Sequence, residues 1–249
     1  MPNMSDKKTP MATRSPQERR CDFAEVSLGY TAEEAMEEAK RCLQCKHKPC
    51  TGGCPVQVDI PAFIRLVAGG DFAGAYEVIA RSSSLPAVCG RVCPQENQCE
   101  KHCVRGLKGE PVAIGRLERF VADWHNSQPT MCDNSIPRNG HKAAIVGSGP
   151  AGLACAGDLL RMGYDVTLFE ALHQAGGVLV YGIPEFRLPK AIVQQEIESL
   201  KSRGLKVVTN MVIGKVLSVD ELLDKEGFDS VFIGTGAGLP RFMNIPGEN

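Results

Sequence analysis

Eight of the eleven cysteines lie in two short runs, Cys42-x2-Cys45-x4-Cys50-x3-Cys54 and Cys89-x3-Cys93-x5-Cys99-x3-Cys103. No other feature constrains the fold as tightly. Spacings this short let a loop wrap a compact centre and present several thiolates to it, and prolines after Cys54 and Cys93 fit loops of the bacterial ferredoxin type. Structural zinc also takes four thiolates, but usually as two Cys-x2-Cys knuckles far apart, and only Cys42–Cys45 has that form. Iron–sulfur ligation is the expectation, with zinc as the rival and disulfides behind both. Plain counting gives each run its own cluster, Cys89 included. His47 and His102 are not needed as ligands, and Cys21, Cys132 and Cys155 are scattered, Cys155 as a small core residue.

The 249 residues are 43% hydrophobic and 23% charged, enough for two modest cores. A net charge of -1 leaves no cationic excess to neutralise a nucleic-acid backbone, which argues against that partner. Lys7, Lys8, Arg14, Arg19 and Arg20 stand near the start with no apolar segment after them, so residues 1–22 are expected to be a flexible, uncleaved arm. No apolar run approaches the roughly 18 to 20 residues that cross a bilayer. A cytoplasmic protein without a membrane partner is expected.

Residues 23–127 read as helices separated by cysteine loops. Thr31 and Glu34 form a capping box, Asp59 caps a helix carrying Phe63, Ile64 and Val67, and Asp71 caps one carrying Phe72, Tyr76 and Ile79. A further helix begins near Pro111, with Ile114, Leu117, Phe120, Val121 and Trp124 at helical spacing. Residues 128–141 have the composition of a linker. From residue 142 the pattern alternates: strands Lys142–Val146, Asp165–Glu170, Leu205–Thr209 and Ser230–Ile233, the last expected to be buried, and helices Ala151–Met162 and Pro189–Arg203. Ser218 and Glu221 form another capping box. Alternation of this kind implies a parallel sheet.

Gly147-Ser148-Gly149-Pro150-Ala151-Gly152 follows a strand and opens a helix, and Glu170 ends the next strand. The first glycine makes the turn, the second lets a pyrophosphate approach the backbone, and the third lets helix and strand pack closely. The helix N-terminus favours the phosphate charge and Glu170 can accept from a ribose. Gly176-Gly177 and the upstream cysteines favour FAD, since a flavin takes a hydride and releases electrons singly to clusters.

Arg41-Cys42-Leu43-Gln44-Cys45, Cys54-Pro55-Val56, Cys89 to Glu96, Ile114 to Phe120 and Tyr181 to Pro189 resemble the small (beta) subunit of NADPH-dependent glutamate synthase. Close relatives are the ferredoxin:NADP oxidoreductase large subunit, sulfide dehydrogenase and the amino-terminal half of dihydropyrimidine dehydrogenase. The resemblance implies an α-helical double-[4Fe-4S] domain followed by a Rossmann-like FAD-binding parallel sheet at 142–249. It implies interleaved ligands: Cys42, Cys45, Cys50 and Cys103 for one cluster, and Cys54, Cys93, Cys99 and Glu118 for the other, Glu118 standing where a relative carries Gln. It implies an FAD site of Gly147, Gly149, Pro150, Ala151, Gly152, Glu170, Gly177, Val178 and Arg187.

By the same resemblance, Thr235-Gly236-Ala237 precedes an inserted NADPH domain, so a truncated sheet, weak FAD binding and little activity with NADPH by this chain alone are expected. NADPH would serve the full-length relative, and electrons would leave for a glutamate synthase large subunit or another accepting subunit. The alternatives are a ferredoxin:NADP or sulfide-linked oxidoreductase and a non-enzymatic zinc-binding module. No residue is expected to be catalytic, and an oligomer is left open.

Overall fold

The computed structural model describes residues 3–128, 136–237 and 242–248. Most of the expected linker, residues 129–135 with Cys132, lies outside the described residues, as do residues 238–241 just after the Thr235-Gly236-Ala237 turn. The chain divides into two compact units, Met1–Cys132 with Ile183–Ser199, and Asp133–Gly182 with Leu200–Asn249.

The first unit is helical. Helix α1 (Ala32–Ala39) opens on the Thr31/Glu34 capping box, and Asp59 and Asp71 cap α2 (Ile60–Ala68) and α3 (Phe72–Ala80) by accepting from Ala62 N and Gly74 N. Each acceptor satisfies an amide that the first helical turn leaves unpaired. Helix α4 (Pro86–Val92) carries Cys89, where the sequence suggests only a loop, and α5 (Ile114–Asn126) follows the second cysteine run. Phe63, Ile64, Val67, Ile79, Leu117 and Val121 form the core. Phe72 meets the edges of Phe120 and Trp124 with ring centroids 4.9 and 5.7 Å away.

Residues 3–22, expected to belong to a flexible arm, are held by backbone and side-chain hydrogen bonds. Strand β1 (Ala12–Thr13) pairs antiparallel with β2 (Ser27–Gly29). Lys8 Nζ bonds Glu100, Lys8 N donates to Glu110, and Thr9 N donates to Glu38. Side-chain acceptors fix this segment, and they leave no periodic trace in its own sequence.

The second unit carries four parallel strands in the order β5-β4-β3-β6: β3 (Lys142–Val146), β4 (Asp165–Phe169), β5 (Lys206–Val208) and β6 (Ser230–Ile233). Ala143 aligns with both Val166 and Ser230, and Thr167 with Lys206. Helix α6 (Pro150–Arg161) packs on β3 and β4. The expectation that Ser230–Ile233 is buried is corrected: β6 is an edge strand of the described sheet, and Phe232 and Ile233 are exposed. Only Val231 packs against the core of this unit, with Ala144, Val146, Phe169 and Leu222.

Candidate cluster and dinucleotide sites

The first cysteine run is held in shape by strained backbone. Gln44, Lys48 and Gln57, none of them glycine, take positive φ values of 50°, 44° and 54°. Left-handed conformations in such residues cost free energy and persist where the surroundings impose them. Gln44 and Lys48 turn the chain between successive cysteines, and Gln57 turns it just after Cys54. Arg41, fully buried, anchors the run: its guanidinium donates to Glu38 Oε1 at 2.7 Å, Glu110 O at 2.7 Å and Ser5 O at 3.1 Å.

The two runs pack together at Gly53, where an added Cβ would collide with the His102 ring and lie 2.9 Å from Gln98 O. This contact brings the second run against the first. Cys42, Cys45, Cys50 and Cys103 line one pocket, with Pro49, Pro61 and Arg105. Val112 N donates to Cys103 Sγ at 3.5 Å, and Gln44 Nε2 to Cys42 Sγ at 3.4 Å. Burial raises the Cys42 thiol, with Cys103 and Cys45 adding to it, and pushes Cys50 up to about 11, with Cys42 and Cys103 adding.

Cys54, Cys93, Cys99 and Glu118 form a second electrostatic group. Burial, then Glu118 and Cys54, push Cys93 up to about 11; Cys99 is raised by burial, then by Glu100, Glu118, Cys54 and Cys93. Burial and then Glu196 push the Glu118 carboxyl up to about 8. Cys93 donates to Gln98 Oε1 at 3.0 Å. Cys89 sits near this group, raised by burial and then by Glu118, with the Ser83 hydroxyl donating to its sulfur at 3.9 Å.

The donor set fits a cluster: four cysteines line one pocket, and Arg105, which lines it too, has a buried Nε without an acceptor.

In the second unit, Gly147 takes φ +101° at the end of β3, and an added Cβ on Gly152 would collide with Gly147 O. Gly177, at φ +52°, lies against the turn, where a Cβ would be 2.8 Å from Gly149 Cα. Gly149 is the N-cap of α6, with Pro150 as first residue and Ala151 next. Val178 begins a single helical turn to Tyr181 and is exposed. Glu170 is buried, and its carboxylate accepts from Ser148 N at 3.0 Å, from Ser148 Oγ and from Leu172 N at 2.9 Å. Its oxygens brace the turn in this structure. Ser148 Oγ in turn accepts from Gly176 N at 2.8 Å, linking both glycine pairs, a role that sequence spacing did not reveal.

Arg187 lies in the first unit. It lines a cavity of about 480 Å³ with Gly90, Arg91, Arg116, Arg119 and Glu25. Arg91 is buried and bonds the half-buried Glu25 at 2.9 Å and Asp123 at 2.8 Å, a network with no signature in residue spacing. No helix among the described residues is long and apolar enough to cross a membrane.

The dihydropyrimidine dehydrogenase domain II, 4Fe-4S cluster family matches residues 19–130, and the pyridine nucleotide-disulphide oxidoreductase family matches residues 141–249. The NAD-dependent dihydropyrimidine dehydrogenase subunit PreT of Salmonella typhimurium is 38% identical over 91% of this chain and 55% of its own length. The glutamate synthase [NADPH] small chain of Azospirillum brasilense is 36% identical over 93% of this chain and 48% of its own. The putative oxidoreductase AegA of Escherichia coli is 36% identical over 93% of this chain and 35% of its own. The chain thus spans about half the length of the first two relatives. The first family match overturns the zinc reading, since its domain holds [4Fe-4S].

Proposed function

The chain belongs to the iron–sulfur flavoprotein oxidoreductases that include glutamate synthase small chains and dihydropyrimidine dehydrogenase subunits, and from that premise we propose that it is the electron-entry portion of a glutamate synthase (NADPH) small subunit. Its cofactors are [4Fe-4S] clusters and FAD. When bound, they turn a two-electron hydride donation into single-electron steps. The partner in this reading is a large subunit that reduces its substrate to glutamate, and the compartment is the cytoplasm.

One observation carries the assignment of residues: the thiols group across the two runs, with Cys103 in the pocket of Cys42, Cys45 and Cys50 and Cys54 beside Cys93 and Cys99. We assign one cluster to each group, with Glu118 as the eighth ligand and Cys89 unligated. The amides at the N-terminus of α6 would hold the FAD pyrophosphate beside Gly147, Gly149 and Gly152, where the helix dipole favours phosphate charge. Glu170 orients the turn through Ser148 and would offer its carboxylate to a ribose hydroxyl. Cys50 and Cys99 are buried, and the other assigned cysteines and Glu118 are half-buried.

A second reading is a dihydropyrimidine dehydrogenase subunit, favoured by the 38% identity to PreT over 91% of the chain. The test supplies the anaerobically purified natural gene product with NADPH, and in parallel with NADH, and with either a glutamate synthase large subunit or a dihydropyrimidine dehydrogenase catalytic subunit. Glutamate formation from glutamine and 2-oxoglutarate with the first supports the proposal. Pyrimidine reduction with the second alone moves the chain to the other reading.

A further inference from the structure

Arg105 stands two residues after Cys103, on the 3-10 turn Val104–Leu107, and lines the same pocket as Cys42, Cys45, Cys50 and Cys103. Its Nη2 donates to Ser5 O, which fixes the guanidinium, while its Nε–H is buried with no acceptor. Buried guanidinium donors are paired in folded proteins, because an unmet one forfeits its hydration for nothing. The pocket's sulfurs are the acceptors that the site offers.

We propose that Arg105 sets the reduction potential of the cluster held by Cys42, Cys45, Cys50 and Cys103, by donating its Nε–H to a sulfur of that cluster and by placing a permanent positive charge beside it. The inference rests on the ligand assignment made above. Reduction adds one negative charge, so a cation and an N–H···S hydrogen bond stabilise the reduced form more than the oxidised form and raise the potential. Arg41, also near this run, is neutralised by Glu38 at 2.7 Å and contributes less.

The experiment is an anaerobic redox titration of the cluster-loaded chain followed by electron paramagnetic resonance. Cys50→Ala and Cys54→Ala identify which signal belongs to which cluster. Arg105→Met is expected to lower the potential of the first cluster alone, with full iron content and the second signal unmoved. Arg105→Lys, which keeps the charge but lacks the Nε–H, is expected to give a smaller shift in the same direction. Lys108→Gln removes an exposed charge of the same sign nearby and is expected to shift neither.

An unchanged first potential in Arg105→Met overturns the proposal. If that variant loses iron, Arg105→Lys decides, and a wild-type potential there overturns the hydrogen bond. If Cys50→Ala and Cys54→Ala abolish the same signal, the ligand assignment has failed instead, and the Arg105 measurements are not what failed it.

Discussion

Arg41 and Glu38 are both fully buried, and between them they hold the arm, the first cysteine run and the start of α5. Glu38 Oε1 accepts from Arg41 and from Ala113 N at 2.8 Å, while Oε2 accepts from Thr9 N at 2.6 Å. Removing Arg41 leaves Glu38 charged in the core without a counter-ion, its carboxylate met only by the Thr9 and Ala113 amides. Arg41→Ala should therefore destabilise the first unit by about 3 to 5 kcal/mol, visible as a lower melting temperature with iron lost from the first cluster. A melting temperature within error of wild type would show that the network is dispensable. Gly53→Ala should cost about 1 to 3 kcal/mol, because the new methyl must push Gln98 and His102 away at the junction of the runs. Its iron content should fall more than that of Gly52→Ala, whose Cβ meets nothing within 4 Å. The raised thiols add a pH dependence. Cys50 and Cys93, both pushed up to about 11, are protonated near neutrality in the apo chain and must release protons on ligation. Cluster reconstitution should become more complete as pH rises from about 7 toward 9, and a flat or falling yield would contradict this.

At the scale of elements, the legible parts are those whose stabilising residues lie within the element. The Thr31/Glu34 and Ser218/Glu221 capping boxes and the caps at Asp59 and Asp71 all form as their spacing suggests. Strand Lys142–Val146 has the bounds that its apolar run gives. Helix α4 was not legible, because Leu85 makes no side-chain cap and Cys89-Gly90-Arg91 has no apolar period. Distant residues hold it: Glu196 accepts from Ala87 N at 2.7 Å, and Gly90 allows the backbone of Arg119 to approach. Glu196→Ala should then cost about 1 to 2 kcal/mol, as the loss of a helix cap does, with Glu196→Gln much milder. Differential melting of the two variants checks this, and equal stability would show that the N-terminus of α4 needs no such acceptor. The placement of the thiols is less legible for the same reason: spacing counts cysteines along the chain, whereas the contact at Gly53 joins residues far apart in sequence.

At the scale of the whole molecule, a helical iron–sulfur unit and a parallel-sheet dinucleotide unit share one chain, and residues Ile183–Ser199 return to the first unit after the phosphate turn has been built in the second. The segment that carries Arg187 thus belongs with the cysteines, as does Glu196 beside Glu118. The central claim is that each cluster is assembled from both cysteine runs, and the double variant Cys42→Ala/Cys103→Ala tests it most directly. The wild-type chain, purified anaerobically, should hold about eight irons and eight sulfides. Because Cys42 and Cys103 serve one cluster, the double variant should lose only that one and keep about four irons with the second cluster's resonance signal intact. If each run held its own cluster, the same two substitutions would strip both, and an iron content near zero in a folded chain would contradict the account.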